Sequence, residues 1–132
     1  AACLGVALDI IEPCGFPLTD KTLRRSAMDY GERAEIFRRN GWKSFVDSHA
    51  RTGARLVLFS TRGLITLQDF SFRAGDCLLF GRESAGAPDE IHARADAVVR
   101  IPLAPEARSL NVAMAAGIAL WEALRQTGGL PA

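Results

Sequence analysis

The stretch AVVRIPLAPEARSLNVAMAAGIALWEALRQ, residues 97–126, decides how the rest of the chain is read. It opens on a β-branched apolar run, AVVRI (97–101), which predicts a strand. Pro102 and Pro105 break that run. A long apolar segment follows and predicts a helix over 110–126. Leu110, Met114, Ile118, Trp121 and Leu124 form one stripe on it, and Val112, Ala113, Ala115, Ala116, Ala119 and Leu120 leave little of the remainder polar. A helix apolar on nearly every side is covered on more than one side. The second cover is either its own domain or another subunit, in which case Trp121 is a suitable central anchor. Ser109 is placed to be the N-cap of this helix. Asn111 is placed as a local cap partner or a solvent-facing residue.

Two more runs resemble the first. LVLF (56–59) and CLLF (77–80) are continuous apolar segments without alternation. Such runs fit strands covered on both faces, as in parallel sheets between helices. VALDII (6–11) predicts a further strand, stopped by Glu12 and Pro13. Thr19 or Asp20 is a candidate cap for a short helix over KTLRRSAM. Asn40-Gly41 signals a turn, WKSFVDSHAR (42–51) has helical spacing, and Gly53 ends that helix. Strands separated by helices give an α/β layered fold. No internal repeat or linker divides the 132 residues, so a single domain over 1–132 is expected.

Composition limits the function classes. Apolar residues make up 48% of the chain, enough for a core without disulfides. Cys3, Cys14 and Cys77 are scattered, with no CxxC or Cys/His pairing, so neither a disulfide framework nor a zinc site is indicated. A reduced, cytoplasmic setting fits, and no apolar run is long enough to suggest a membrane span. The net charge is +1, but residues 21–43 hold seven basic and three acidic residues. Charge alone allows two readings of that stretch: a solvated helical surface or a face that meets phosphates.

Three segments follow strand ends: FSTRG (59–63), FGRESAG (80–86) and the loop before the last helix. In open α/β sheets, ligands sit beyond the carboxyl ends of strands, so one shared pocket is expected. GRESAG lacks the GK[ST] of a phosphate-binding loop, and Ser84 lacks a G-x-S-x-G setting. His49 and His92 fall in expected helices away from these loops, as surface or capping residues. Glu83, just after a strand-end glycine, is expected to hold its own loop. The residues by themselves support a small-molecule site at the top of an α/β sheet.

Taken together, LLFGRESAGAP and RIPLAPEARSLNVAMAAGIALWEALRQ resemble the second and third motifs of the SPOUT superfamily of RNA methyltransferases. IIEPCGFPLTDKTLRRSAMDY is similar to the small stand-alone subgroup that 2′-O-methylates the wobble cytidine or modified uridine of leucine tRNAs. The resemblance runs nearly end to end. It implies a Rossmann-like parallel sheet with helices on both faces and a C-terminal trefoil knot, although knots are rare in general. It also implies S-adenosylmethionine as cofactor, a homodimer through the C-terminal helix, and a tRNA anticodon arm as partner, without metal. Cofactor contacts are carried over to Phe59, Gly81, Ile101, Leu103, Ser109 and Leu110. Ser109 and Asn111 are the catalytic candidates this sequence retains, and Lys21, Arg24 and Arg25 the candidates for the RNA backbone.

The sequence departs from the family pattern at its start. A first strand and a following motif like PxNTGNxxR do not precede AACLG. The arginine of that motif is the family's candidate for activating the ribose hydroxyl or binding its phosphate. Two alternatives therefore stand beside the enzyme: a non-catalytic RNA-binding or cofactor-sensing module, and a sister 2′-O-methyltransferase acting on another RNA.

Overall fold

The computed structural model of the chain describes residues 2–12, 35–81 and 86–132. The basic residues Lys21, Arg24 and Arg25, the expected helix over KTLRRSAM, Cys14 and Glu83 lie outside the described residues. The chain forms two compact units, Ala1–Gly53 with Pro131–Ala132, and Ala54–Leu130.

In the first unit, strand β1 (Leu8–Ile11) pairs in parallel with β2 (Ile36–Arg39), with Leu8 opposite Ile36 and Ile11 opposite Arg39. Nothing in the sequence signals a strand at β2. IFRR is too short to show a period, and half of it is charged. Arg38 and Arg39 are thus strand residues, not part of a helical surface. Arg39 pairs with Asp9 at 2.9 Å and Arg38 with Glu12 at 3.8 Å, which offsets part of the local basic excess. Helix α1 (Trp42–Ala50) follows the Asn40-Gly41 turn as expected. Its inner face is Phe45 and His49, stacked with ring centroids 5.5 Å apart. His49 is therefore buried, contrary to the expected surface or capping role. The spacing of Phe45 and His49 puts them one turn apart on the same face. Past the end of the helix Gly53 takes φ +67°, a left-handed conformation open to glycine.

The second unit is a four-stranded parallel sheet in the order β4-β6-β3-β5. Its strands are β3 (Leu56–Phe59), β4 (Ile65–Thr66), β5 (Cys77–Phe80) and β6 (Ala97–Arg100). Leu56, Val57 and Leu58 on the inner strand β3 are at most 1% exposed. Burying a side chain of this kind contributes roughly 1.5–3 kcal/mol, so β3 anchors the unit. Phe59 stacks on Phe80 at 5.0 Å, and Phe70 meets Phe72 edge-on at 4.8 Å. Asp96 Oδ2 accepts the Leu56 N–H at 2.7 Å, which ties the turn before β6 to the start of β3. Helix α2 (Asp89–Arg94) connects β5 to β6.

Helix α3 (Val112–Thr127) starts two residues later than the spacing predicts. Its N-cap is Asn111, not Ser109: Asn111 Oδ1 accepts from the backbone N–H groups of Ala113 at 2.9 Å and Met114 at 3.3 Å. Asparagine is among the best N-cap residues, so its side chain sets where the helix begins. Ala119 on α3 is fully buried, and Ala123 packs against the core beside it. The helix turns this small face inward, while Met114, Ile118 and Trp121 of the apolar stripe are exposed at 59%, 39% and 49%. Gln126 fastens the far end: its Oε1 accepts from Phe72 N at 2.8 Å and its Nε2 donates to Phe70 O at 3.0 Å. Gly128, at φ +74°, closes the helix.

Candidate functional site

The strand order brings the carboxyl ends of β3, β5 and β6 together, and their loops enclose a cleft of about 320 Å³. After β3, Ser60 donates its N–H to Val99 O at 2.9 Å, and a turn closes with Gly63 N–H donating to Ser60 O at 3.1 Å. Gly63 lies flat on β6. A Cβ there would fall 2.7 Å from both Arg100 N and Val99 C. After β5, Gly81 is pressed against the returning chain, where a Cβ would fall 2.4 Å from Ala87 N and 2.5 Å from Gly86 C. Both contacts are with backbone, which cannot swing aside, so glycine is required at each position.

Phe59, Gly81, Ile101, Leu103, Ser109 and Leu110 all line this cleft. Every residue carried over as a cofactor contact is thus brought to one place. Phe80, Ser60 and Thr61 complete the walls, together with Gly86, Ala87, Val112 and Ala115. None of these side chains ionises. The cleft offers apolar faces, a few hydroxyls and backbone groups, which is the composition of a small-molecule site. These described walls supply no strong acid or base.

Asn111 is not among the walls. It lines a wider, open groove of about 900 Å³ along α3, with Leu67, Gln68, Met114, Gly117, Ile118 and Trp121. That groove is the larger concavity, but it is an exposed apolar helix face rather than a set of convergent polar groups. Glu106 and Arg108 are exposed on the loop before α3.

His92 corrects the expectation that the histidines lie away from the loops. Its Nε2 is 2.9 Å from Ser60 Oγ, on the wall of the cleft. Beside it, Arg62 pairs with Asp89 in the first turn of α2 at 2.8 Å. No motif signals this contact, because Ser60 and His92 are 32 residues apart. Among the described residues no group of three or more His, Cys, Asp or Glu is placed to hold a metal, and no helix is long and apolar enough to cross a membrane.

The sequence matches the model of the SpoU rRNA Methylase family over residues 1–121. The chain belongs to the SpoU methylase family. Two similar relatives are named tRNA (cytidine(34)-2′-O)-methyltransferase. The one from Beijerinckia indica is 53% identical over 129 residues, covering 98% of this chain and 81% of the relative. The one from Ancylobacter novellus is 52% identical over 128 residues, covering 97% and 81%. A similar solved structure, described as structural insights into the 2-OH methylation of C/U34 on tRNA, superposes with a TM-score of 0.87 at 42% identity. It covers 95% of this chain and 81% of that one. An AdoMet-bound rRNA methyltransferase from Sinorhizobium meliloti superposes with a TM-score of 0.83 at 29% identity, covering 94% of this chain and 48% of that one. The parallel α/β fold described above is thus the fold of SpoU methylases.

Proposed function

We propose that this chain is an S-adenosylmethionine-dependent 2′-O-methyltransferase acting on the nucleotide at position 34 of tRNA, with leucine tRNA as substrate. The observation that carries this reading is the cleft itself. Three strand ends converge on it, glycine is compelled at Gly81, and none of its described walls ionises. Relatives named tRNA (cytidine(34)-2′-O)-methyltransferase support the ribose methylation and the position.

The cleft fits an adenosine-sized ligand: its volume lies at the lower end of the ligand-pocket range, and its apolar walls suit a planar base. Bound there, S-adenosylmethionine supplies an activated methyl group. What remains for the protein is to hold the ribose hydroxyl at near-attack distance and keep it oriented. Phe59, Ile101, Leu103 and Leu110 would wall the base, with Gly81 letting the backbone approach. Ser109 stands at the mouth as a polar contact. Asn111 fixes the start of α3 and so the position of Ser109 two residues before it.

Lys21, Arg24 and Arg25 are proposed to meet phosphates of the anticodon arm, a salt-dependent contact. The exposed Met114, Ile118 and Trp121 on α3 support a homodimer through that helix. The C-terminal part is proposed to be knotted and the protein cytoplasmic, as the family resemblance implies. The test is transfer of a tritium-labelled methyl group from S-adenosylmethionine to total tRNA by full-length protein. Incorporation into the leucine tRNA fraction is expected. Absence of incorporation into any tRNA overturns the reading.

A further inference from the structure

Nothing in that reading uses His92, yet its surroundings are closely specified. Its Nδ1 lies 3.2 Å from Pro88 O. A carbonyl only accepts, so Nδ1 carries the hydrogen and, in the neutral ring, Nε2 is left as an acceptor. Ser60 Oγ, at 2.9 Å, must therefore donate to it. The same hydroxyl accepts the Arg62 N–H at 3.2 Å. Ser60 is thus held from two sides, by α2 through its hydrogen and by its own turn through its oxygen. The neighbouring Arg62–Asp89 pair is a weaker tie, since its side chains are 59% and 90% exposed and exposed ion pairs contribute little.

The consequence falls on the cleft. Ser60 and Thr61 line it directly after Phe59, and α2 begins just beyond Gly86 and Ala87, which line it too. His92 therefore ties the loop after β3 to the connection that follows β5. We propose that His92 is a positioning residue that sets the shape of the nucleoside cleft by fixing the Ser60 hydroxyl. This rests on the cofactor reading of the cleft. It adds a residue from outside the walls, acting through one hydrogen bond.

The experiment is calorimetric titration of full-length wild type, His92→Phe, His92→Gln, Ser60→Ala and the His92→Phe/Ser60→Ala double variant with S-adenosylhomocysteine, with melting temperatures taken in its absence. His92→Phe keeps a ring but cannot accept the hydrogen. It is expected to weaken binding roughly three- to tenfold, the loss of one hydrogen bond. Ser60→Ala should weaken it to the same degree, and the double variant no further, because both changes remove one interaction. His92→Gln offers an amide oxygen near the position of Nε2 and is expected to restore most of the affinity. A purely structural role would lower the melting temperature of His92→Phe and Ser60→Ala while leaving their affinity for S-adenosylhomocysteine at the wild-type value. Should His92→Phe fail to fold, the comparison of His92→Gln with Ser60→Ala decides. Wild-type affinity in His92→Phe or Ser60→Ala, or additive losses in the double variant, overturns the inference alone. Absence of binding by the wild type overturns the cofactor reading and this inference with it.

Discussion

Gly81 shows how a single missing atom shapes the cleft. The chain leaves β5 and returns at Gly86–Ala87 so closely that a methyl group would sit 2.4 Å from a backbone nitrogen. Gly81→Ala is expected to push the two loops apart. It should cost about 1–3 kcal/mol of stability, as overpacking in a tight site does, and it should abolish S-adenosylhomocysteine binding. A thermal melt combined with a titration checks both, and wild-type binding by a folded Gly81→Ala would contradict the assigned contact. The glycine itself is legible in the sequence, as part of the FGRESAG motif. The reason for it is not, because the colliding atoms belong to residues five and six positions later. The cap of α3 shows the same limit. Ser109 and Asn111 are both good N-cap residues, and only the path of the loop determines that Asn111 is the one whose side chain reaches the free N–H groups.

Among the elements, the continuous apolar strands are the readable ones. LVLF, CLLF and AVVR are long enough and apolar enough to predict β3, β5 and β6 with no more than a one-residue difference at Ile101. β2 and β4 are not legible, because IFRR and IT carry no period and acquire strand geometry only from their neighbours. Ties between elements are equally hidden. Arg55, just before β3, donates to both carboxylate oxygens of Asp76 just before β5, at 3.0 and 2.6 Å. It also donates to Ser71 O at 3.0 Å and lies over the Phe70 ring at 4.9 Å. Burial alone would raise the Asp76 carboxyl. The Arg55 hydrogen bonds and the Arg73 N–H outweigh it and hold the group below its ordinary value of 3.8. A depressed carboxylate contributes stability that is complete above the unfolded value and is lost as pH falls through the folded one. Asp76→Asn should therefore destabilise the protein by roughly 1.5–3 kcal/mol at neutral pH, the worth of hydrogen bonds to a charged group. Its deficit should shrink on acidification below about pH 4. Denaturant melts of both proteins across pH check this, and a deficit that does not change with pH would contradict it.

At the scale of the whole molecule, the exposed face of α3 is the feature that the described chain does not cover. The helix is apolar nearly all round, as its sequence indicates, but it turns its small residues inward and leaves Met114, Ile118 and Trp121 outside. A second copy laid across that face would bury all three. Trp121→Ala is expected to weaken the proposed dimer about thirtyfold or more, in the range of a central aromatic anchor, about 2 kcal/mol or more. Light scattering at low micromolar concentration reads this directly, and a monomeric wild type or an unchanged dimer in Trp121→Ala would contradict the proposed interface. The carried-over cleft residues are legible in the sequence through FSTRG, FGRESAG and RIPLAPEARSLN. Strand order explains why they meet: β3 lies between β5 and β6, so their ends share one edge. The most direct test of the central claim is to locate the methyl group. Leucine tRNA incubated with full-length protein and S-adenosylmethionine would be cut with nuclease, and the fragments weighed by mass spectrometry. The account predicts a single added methyl on the ribose of the position-34 nucleotide, the position for which its relatives are named. A methyl on a base, at another position, or on no nucleotide would contradict it.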